Sequence, residues 1–227
     1  MTTFVLIPGA CHGAWCFEPL ARELRLAGHQ AYPLTLTGVG ERRHLLGASV
    51  NLDTHIEDLV NLLTDEQITD AVLVGHSYGG MVITGAADRL PERVSGLVYV
   101  DAFVPRDGDS CWTLTTDSQR DWYIGGSAAS GHAMAPLPFF DERATPHPLA
   151  TLLQAIRLTG AGRGPVRRDY VYATDWPEPS PFEPAYRQAL ADPSWHTHAL
   201  DSRHNVMRDA PAELLRILLE SVRRDGV

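Results

Sequence analysis

The feature that most constrains this chain is a glycine-rich turn between an apolar segment and a helical pattern. Residues 70–75 read "DAVLVG" and are apolar almost throughout, as in a strand covered on both faces. The turn itself reads "GHSYGG" at 75–80 and has the form Gly-x-Ser-x-Gly. Glycines on both sides of the serine allow a sharp turn, which places the serine where the strand ends and the helix begins. We predict Ser77 to be a nucleophile; the alternative is a serine that only caps the helix.

Strand and helix signals alternate around this turn, which predicts an α/β fold with a mostly parallel central sheet flanked by helices. Buried strand patterns occupy residues 4–7, 30–36, 94–100, 169–173 and 195–200. Helical patterns occupy residues 19–27, 53–63, 77–90 and 211–224, with Asp53 as the expected cap of the second. The chain has 227 residues, a length typical of one domain, so we expect a single domain over 1–227.

The alternation stops between about residues 105 and 168, where Gly, Pro and Ser residues surround short aromatic clusters. A poorly ordered loop is one interpretation of such a composition. Aromatic residues are normally buried, however, so we expect an insertion that caps the active-site edge of the sheet. Its aromatic residues are candidates for the wall of a substrate pocket, although each fits the core of the cap equally well: Trp112, Trp122, Tyr123, Phe139 and Phe140.

The charged residues disfavour several kinds of function. The net charge is −9 and no basic stripe is present, which argues against nucleic acid as a partner. All 19 cationic residues are arginine, so a lysine Schiff base and a P-loop lysine are both excluded. No apolar run reaches the roughly 18 residues of a membrane span, and no basic region precedes the first apolar stretch. We expect a cytoplasmic protein that binds a small molecule and no membrane; the sequence carries no signal for its oligomeric state.

The cysteines indicate neither a disulfide framework nor a metal site. Cys11, Cys16 and Cys111 are odd in number, and none is spaced from histidines as zinc ligands are. We therefore expect no metal and no cofactor.

A general base for Ser77 must come from a loop at the same edge of the sheet. His204 lies in the segment "LDSRHNVMRDAPAELLRIL", after the final strand pattern and before the last helix. The other nine histidines fit this role less well. His76 lies inside the turn, where we expect its side chain to point away from Ser77. His196 and His198 lie on a presumed strand, His132 and His147 lie in the cap, and the early helix-and-loop region holds His29, His44 and His55. His204 is therefore the predicted base.

Three segments resemble one branch of the α/β-hydrolase superfamily: the plant-type methylesterases, the related hydroxynitrile lyases and their bacterial esterase homologues. They are "FVLIPGACHGAWCFEPLARELRLAGHQAYPLTLTGVG" from residue 4, "VLVGHSYGGMVITGAADRLPERVSGLVYVDAFVP" from residue 72, and "RRDYVYATDW" with "WHTHALDSRHNVMRDAPAELL" near the end. The stretch "GACHGAW" is far more specific than the serine turn, although "PGA" stands where the family usually has His-Gly-Ala. The resemblance implies an α/β-hydrolase fold and an oxyanion hole formed by the backbone N–H groups of Ala10 and Tyr78.

The resemblance leaves two candidates for the acid of a Ser-His-Asp triad. In the plant enzymes the acid follows the next-to-last strand in a "CT-x-D" context. The corresponding residues 173–176 read "ATDW", so Asp175 comes one position early. Asp101 directly follows the strand pattern "GLVYV", a place from which some α/β hydrolases supply their acid. Both keep the chain order Ser, Asp, His; Asp101 is the preferred candidate and Asp175 the alternative.

The resemblance implies a serine hydrolase that cleaves a carboxylic ester, such as a methyl ester or lactone of a secondary metabolite, through an acyl-enzyme. Hydroxynitrile cleavage is disfavoured, because the plant enzymes depend on a lysine beside the triad and a threonine near the oxyanion loop. This chain has no lysine, and Ala10 occupies the place of the threonine. Two alternatives stay open. One is a non-hydrolytic cyclisation, dehydration or carbon–carbon cleavage of a polyketide-like metabolite; the other is a receptor that binds a small molecule without turnover.

Overall fold

The computed structural model describes residues 1–161, 166–176 and 179–222. Within these ranges the centre is a six-stranded sheet in which all neighbouring strands are parallel, in the order β2-β1-β3-β4-β7-β8. Its strands are Thr3–Ile7 (β1), Gln30–Pro33 (β2), Ala71–His76 (β3), Val94–Val100 (β4), Arg167–Ala173 (β7) and Trp195–Leu200 (β8). Two short strands pair antiparallel outside the sheet, Ala133–Met134 (β5) and His147–Pro148 (β6). The predicted mostly parallel α/β sheet is confirmed.

The α-helices are Glu18–Leu26 (α1), Leu52–Asp65 (α2), Gly79–Arg89 (α3), Cys111–Leu114 (α4), Asp117–Ser127 (α5), Ala150–Leu153 (α6), Glu183–Ala191 (α7), Val206–Asp209 (α8) and Pro211–Ser221 (α9). Short 3-10 turns occupy Ala14–Cys16, Gly40–Leu45 and Pro91–Arg93. None of the helices in the described ranges is both long and apolar enough to cross a bilayer.

The start of α2 differs from the prediction. Asn51 accepts a hydrogen bond from the Thr54 N–H (3.1 Å), and the Thr54 hydroxyl accepts one from the Asn51 N–H (3.3 Å). This reciprocal capping box satisfies backbone donors that the first turn leaves unpaired. The choice of Asp53 as the cap was therefore wrong. Asp53 lies inside the first turn, where its negative charge interacts favourably with the helix dipole.

Apolar clusters cover both faces of the sheet. Alternate residues of each strand point to opposite faces, so Ile7 and Leu73 belong to one cluster and Leu6 and Val74 to the other. Helices α2 and α3 contribute to the first cluster, and α1 and α9 to the second. All residues of β3 are buried, as its apolar sequence predicts. Full burial of each large apolar side chain contributes roughly 1.5–3 kcal/mol, which fixes β3 in the middle of the sheet.

The strand register brings the loops of interest to one edge of the sheet. Ile7 pairs with Gly75, and Val100 pairs with both His76 and Val171. Because all the strands are parallel, their carboxyl ends lie together, and the loops that follow β1, β3, β4, β7 and β8 converge there. In open parallel sheets this edge is the usual place for a ligand site.

The cap segment, residues 105–161, lies between β4 and β7 and contains α4, α5, β5, β6 and α6. Hydrogen bonds attach it to the rest of the domain: the Thr145 N–H donates to the Cys11 carbonyl in the loop after β1 (3.0 Å), and the Thr159 N–H donates to the Asp88 carboxylate of α3 (2.7 Å). The predicted insertion extended to about residue 168, and its residues 162–165 lie outside the described part of the chain.

Candidate active site

Ser77 lies in a strained turn between β3 and α3. Its φ angle is 53°, in the left-handed region that a residue with a side chain adopts only at a cost of about 1–3 kcal/mol. Hydrogen bonds on both sides hold it there: the Ser77 N–H donates to the Val100 carbonyl (3.2 Å), and its own carbonyl accepts from the Phe103 N–H (3.2 Å). The turn leaves the Ser77 side chain partly exposed at the carboxyl edge of the sheet.

Close backbone approaches explain the glycines around Ser77. A Cβ on Gly75 would lie 2.7 Å from the backbone carbonyl carbon of Gly79. A Cβ on Gly9 would lie 2.9 Å from Cβ of Ser77 and 2.9 Å from Nδ1 of His76. The first contact requires a small residue where the strand meets the helix. The second shows that the loop after β1 passes directly beside Ser77.

Asp101, and not Asp175, contacts His204. The Nδ1 atom of His204 lies 2.7 Å from Oδ2 of Asp101, and the Asp101 side chain is fully buried. The side chain of Asp175 is 60% exposed and interacts with Arg203 at 3.4 Å. Of the two aspartates that the sequence offers, only Asp101 is therefore placed to orient the imidazole.

The Asp101 carboxylate is held by donors from the last residue of β7 and from the loop that follows it. Its Oδ2 also accepts a hydrogen bond from the Trp176 indole N–H (3.0 Å), and its Oδ1 accepts one from the Ala173 N–H (3.3 Å). The Asp101 backbone has a φ of 43°, and its N–H donates to the Val171 carbonyl at 2.7 Å. The Trp176 and Ala173 N–H groups compensate the buried negative charge of the carboxylate and fix the orientation of the oxygen that faces His204.

Aromatic rings enclose the imidazole of His204. Phe182 stacks flat against it with ring centroids 5.0 Å apart, and Trp176 lies at 5.0 Å on a tilted plane. His76 approaches it as well, with centroids 4.5 Å apart, and the His76 Nε2–H donates to the His204 backbone carbonyl (2.9 Å). Because Nδ1 of His204 donates to Asp101, its Nε2 carries the lone pair and is available as a base.

The contact between His76 and His204 was missed in the sequence. The side chain of His76 was expected to point away from Ser77, and no part of the pattern linked it to His204, 128 positions later. Burial lowers the pKa of His76 well below its usual range, so its ring is neutral and keeps one N–H for the His204 carbonyl.

Two backbone N–H groups next to Ser77 are available to an incoming oxygen. Within the part of the chain that the structure describes, neither the Ala10 N–H nor the Tyr78 N–H has a hydrogen-bond partner. Tyr78 immediately precedes α3, so its N–H lies at the positive end of that helix. Ala10 lies in the loop after β1, directly after the Gly9 that approaches Ser77. Unpaired backbone N–H groups of this kind can bind an anionic oxygen.

His12 supports the Ala10 loop. Its Nδ1–H donates to the Ala10 carbonyl (2.7 Å), and its ring packs between Trp15 (5.2 Å) and Phe140 of the cap (5.3 Å). Burial lowers the pKa of His12, and His204 acts in the same direction, although the hydrogen bond to Ala10 opposes both. These contacts agree with a structural role for His12 and Trp15.

Three of the five aromatic cap residues that the sequence offers for the pocket wall, Trp112, Trp122 and Tyr123, occupy two places. Trp112 and Tyr123 line an apolar cavity of about 380 Å³, together with Ile124, Ser127, Leu149 and Leu153. Trp122 instead packs on Phe140 at 5.6 Å, and its indole N–H donates to the Ala135 carbonyl. In the described part of the chain, none of these three makes a hydrogen bond or ring contact with Ser77 or His204. The row from Trp122 through Phe140 to His12 links the cap to the loop beside Ser77.

The cysteines do not form a reactive or metal-binding centre in the described residues. Cys11, Cys16 and Cys111 are all free thiols, and burial raises the pKa of each well above its usual value. A protonated thiol is a weak nucleophile and a poor metal ligand. Within the described ranges, no three His, Cys, Asp or Glu side chains are grouped as a metal site would require.

Comparison with known proteins identifies the family. A family model described as alpha/beta hydrolase matches residues 4–217. The chain belongs to this family. It is 40% identical over 235 residues to a carbendazim hydrolyzing esterase of Nocardioides sp. (strain SG-4G), a match that covers 94% of this chain and 97% of the relative. It is also 37% identical over 103 residues to methyl jasmonate esterase 1 of Vitis vinifera, covering 45% of this chain and 40% of that protein.

The solved structures agree on the fold of this α/β hydrolase. An extracellular alpha/beta-hydrolase from a Paenibacillus species superposes with a TM-score of 0.85 at 24% identity, covering 99% of this chain and 100% of that one. The fold class and family expected from the sequence are thereby confirmed. The enzyme class is confirmed as well, since the relatives are esterases: this α/β hydrolase is a carboxylic ester hydrolase. Its expected cytoplasmic location stays a prediction.

Proposed function

We propose that this esterase uses Ser77 as the nucleophile, His204 as the general base and Asp101 as the acid of a catalytic triad. The observation that carries the proposal is the 2.7 Å hydrogen bond between His204 and the fully buried Asp101, at the edge where Ser77 stands in its strained turn. Ala10 and Tyr78 are the proposed oxyanion hole, supported by their unpartnered N–H groups in the described residues.

In the first half of the reaction, Nε2 of His204 takes the hydroxyl proton while Oγ of Ser77 attacks the ester carbonyl carbon. The carbonyl π electrons move to the oxygen, which binds the Ala10 and Tyr78 N–H groups as a tetrahedral oxyanion. His204 then returns the proton to the leaving alkoxide, the carbon–oxygen bond breaks, and an acyl-enzyme on Ser77 remains. Asp101 stabilises the imidazolium throughout without taking up its proton.

In the second half, a water molecule replaces the alcohol. The His204 side chain is 30% exposed, so water has access to the imidazole. His204 deprotonates this water as the oxygen attacks the acyl carbon, and the imidazolium then returns the proton to Oγ of Ser77 as the bond between Oγ and the acyl carbon breaks. The products are a carboxylic acid and an alcohol, and the enzyme returns to its starting state.

The proposed substrates are methyl esters of cyclic or aromatic acids. Two features support this class: relatives named for methyl jasmonate and for carbendazim, and the aromatic row of Trp122, Phe140 and His12 between the cap and the loop beside Ser77. Flat rings stack favourably on such a surface. Trp112 and Tyr123 are proposed to line the substrate pocket through the apolar cavity that they share.

The test is ester hydrolysis by wild type and by Ser77→Ala. We expect the wild type to release p-nitrophenol from short acyl esters and acid from a methyl arylcarboxylate. Ser77→Ala should lose about 10⁴-fold or more in kcat. His132→Leu is a matched control, because His132 is a cap histidine whose ring bonds only to the Ser130 carbonyl among the described contacts.

Retention of hydrolysis by folded Ser77→Ala would exclude Ser77 as the nucleophile. Absence of hydrolysis by folded wild type on every ester would exclude a general esterase and favour the non-hydrolytic enzyme or the receptor. Calorimetry with the methyl arylcarboxylate then measures binding directly, and tight binding without any product would favour the receptor.

A further inference from the structure

His147, a histidine of the cap, contacts both segments of the proposed oxyanion hole. Its Nδ1 accepts a hydrogen bond from the Cys11 N–H (3.2 Å), in the peptide that directly follows Ala10. Its ring packs edge-to-face against the ring of Tyr78, with centroids 4.9 Å apart. The side chain of His147 is almost completely buried. One side chain thus bridges the loop after β1 and the turn that carries Ser77.

The loop after β1 needs such support, because Cys11 has an unfavourable backbone conformation. Its φ angle is 68°, and a side-chain-bearing residue adopts this value only where its surroundings hold it. The cap holds the residue from both sides: His147 accepts from its N–H, and the Thr145 N–H donates to its carbonyl (3.0 Å). The orientation of the Ala10–Cys11 peptide, and with it the Ala10 N–H, therefore depends on residues 145–147.

Hydrogen bonds fix the tautomer of His147. Its Nδ1 is an acceptor, so the ring is neutral and the proton is on Nε2, which donates to the Thr151 hydroxyl (2.8 Å). The Thr151 hydroxyl in turn donates to the Pro148 carbonyl (2.7 Å). Burial, with His55 and His12 nearby, lowers the pKa of His147 well below its usual range, which keeps the acceptor nitrogen free.

The Tyr78 side of the bridge is fixed in the same way. The Tyr78 hydroxyl donates to Nδ1 of His55 (2.9 Å), whose Nε2–H donates to the Thr37 carbonyl (2.7 Å). The rings of His55 and His147 pack edge-to-face with centroids 5.7 Å apart. Tyr78 therefore cannot rotate away from His147 without breaking a buried hydrogen bond.

We propose that His147 is a positioning residue that sets the distance and orientation between the Ala10 and Tyr78 N–H groups of the oxyanion hole. It touches no reacting atom. Because His147 belongs to the cap, the oxyanion is stabilised only when the cap packs correctly against the loop after β1. The inference rests on the proposed function, since it requires that Ala10 and Tyr78 bind the oxyanion.

The test compares His147→Leu with His147→Asn in the full chain. Leucine fills the site without an acceptor, whereas the asparagine Oδ1 lies near the position of Nδ1 and can accept from the Cys11 N–H. We expect His147→Leu to lower kcat on p-nitrophenyl butyrate about 10- to 100-fold, with KM changed less than about threefold. The kcat of His147→Asn should be at least about fivefold higher than that of His147→Leu, because asparagine restores the acceptor for the Cys11 N–H.

A trifluoromethyl ketone provides a second measurement. Oγ of Ser77 adds to its carbonyl carbon, the proton moves to His204, and the resulting hemiketal oxyanion occupies the same hole as in catalysis. The inhibition constant for the trifluoromethyl ketone should rise in His147→Leu by about the same factor by which kcat falls. His132→Leu, the control in the same cap, should stay within about twofold of wild type in both measurements.

Several results would overturn the proposal: unchanged kcat in folded His147→Leu, equal losses in the Leu and Asn variants, or a change confined to KM. If His147→Leu does not fold, Thr151→Val decides, since it keeps the shape of the side chain and removes the hydroxyl that accepts from the His147 Nε2–H and also interacts with Tyr78. Its kcat should fall about 3- to 10-fold at constant KM, and no change would overturn the proposal. Ser77→Ala distinguishes failure of the proposed function from failure of the inference about His147. If Ser77→Ala stays active, the proposed function is wrong. If Ser77→Ala is inactive while His147→Leu has normal activity, only the inference about His147 is wrong.

Discussion

Replacement of Asp101 by asparagine should cost this enzyme most of its activity. Two donors converge on Oδ2 of Asp101, the His204 Nδ1–H at 2.7 Å and the Trp176 indole N–H at 3.0 Å. A third, the Ala173 N–H, meets Oδ1 at 3.3 Å. An amide has only one oxygen, so its NH2 group must face either Ala173 or His204. If the NH2 group faces Ala173, it lies against the Ala173 N–H and two buried donors oppose each other. If the NH2 group faces His204, it donates to Nδ1, so the imidazole carries its proton on Nε2 and cannot take the Ser77 proton.

The loss in kcat should be about 10³- to 10⁴-fold, equivalent to about 4–5.5 kcal/mol of transition-state stabilisation. Asp175→Asn is the matched control, because its carboxylate is 60% exposed and pairs only with an exposed arginine in the described contacts. It should keep kcat within about threefold of wild type. The assay is kcat/KM for p-nitrophenyl butyrate, with thermal unfolding to confirm that both variants fold. The reasoning is refuted if Asp101→Asn keeps more than about a tenth of the activity, or if Asp175→Asn loses more than Asp101→Asn.

Three further changes test other parts of the structure. His76→Phe should lower kcat about tenfold, because the His76 Nε2–H donates to the His204 carbonyl at 2.9 Å and supports the loop of the base. His76→Gln keeps a donor and should recover part of that loss; equal kinetics of the two variants would argue against this role. Gly75→Ala should destabilise the fold by about 2 kcal/mol or more, since its Cβ would lie 2.7 Å from the Gly79 carbonyl carbon, and an unchanged Tm would contradict this. Burial lowers the pKa of His55 in the folded chain to about 4, whereas a histidine in the unfolded chain has a pKa of about 6.5. As the pH falls from about 6.5 towards 4, the unfolded chain binds a proton that the folded chain does not, so the free energy of unfolding decreases. Urea unfolding should show the free energy of unfolding falling by at least about 2 kcal/mol from pH 7 to pH 5, because burial also lowers the pKa of His76 and of His147, and a constant stability over that range would refute this.

The sheet could be predicted because its signals are local. Runs such as residues 70–75 are apolar almost throughout, and they correspond to strands buried on both faces in the structure. The edge of the sheet at which Ser77, Asp101 and His204 lie follows from parallel strands alone, since each residue comes just after a strand. The capping of α2 was missed, because Asn51 and Asp53 are both good N-caps and only the reciprocal bond with Thr54 distinguishes them.

The remaining parts of the site depend on contacts between distant residues. The choice between Asp101 and Asp175 rests on the His204 imidazole, which contacts Asp101 across 103 positions. The bond from Cys11 to His147 spans 136 positions, and the bond from His76 to the His204 carbonyl spans 128. The cap could not be derived for the same reason: its short helices and two-residue strands carry no sustained periodicity, so its structure depends on packing against the sheet.

The most direct test of the central claim is to identify the residue that becomes covalently modified during the reaction. Wild type, Ser77→Ala and His204→Ala would each be treated with a fluorophosphonate, digested and mapped by mass spectrometry. We predict one phosphonyl group on the peptide containing Ser77 in wild type, none at that site in Ser77→Ala, and a modification slowed at least about 100-fold in His204→Ala. An adduct on another residue, or an unmodified Ser77 in a preparation whose hydrolysis is fully inhibited, would contradict the proposed mechanism.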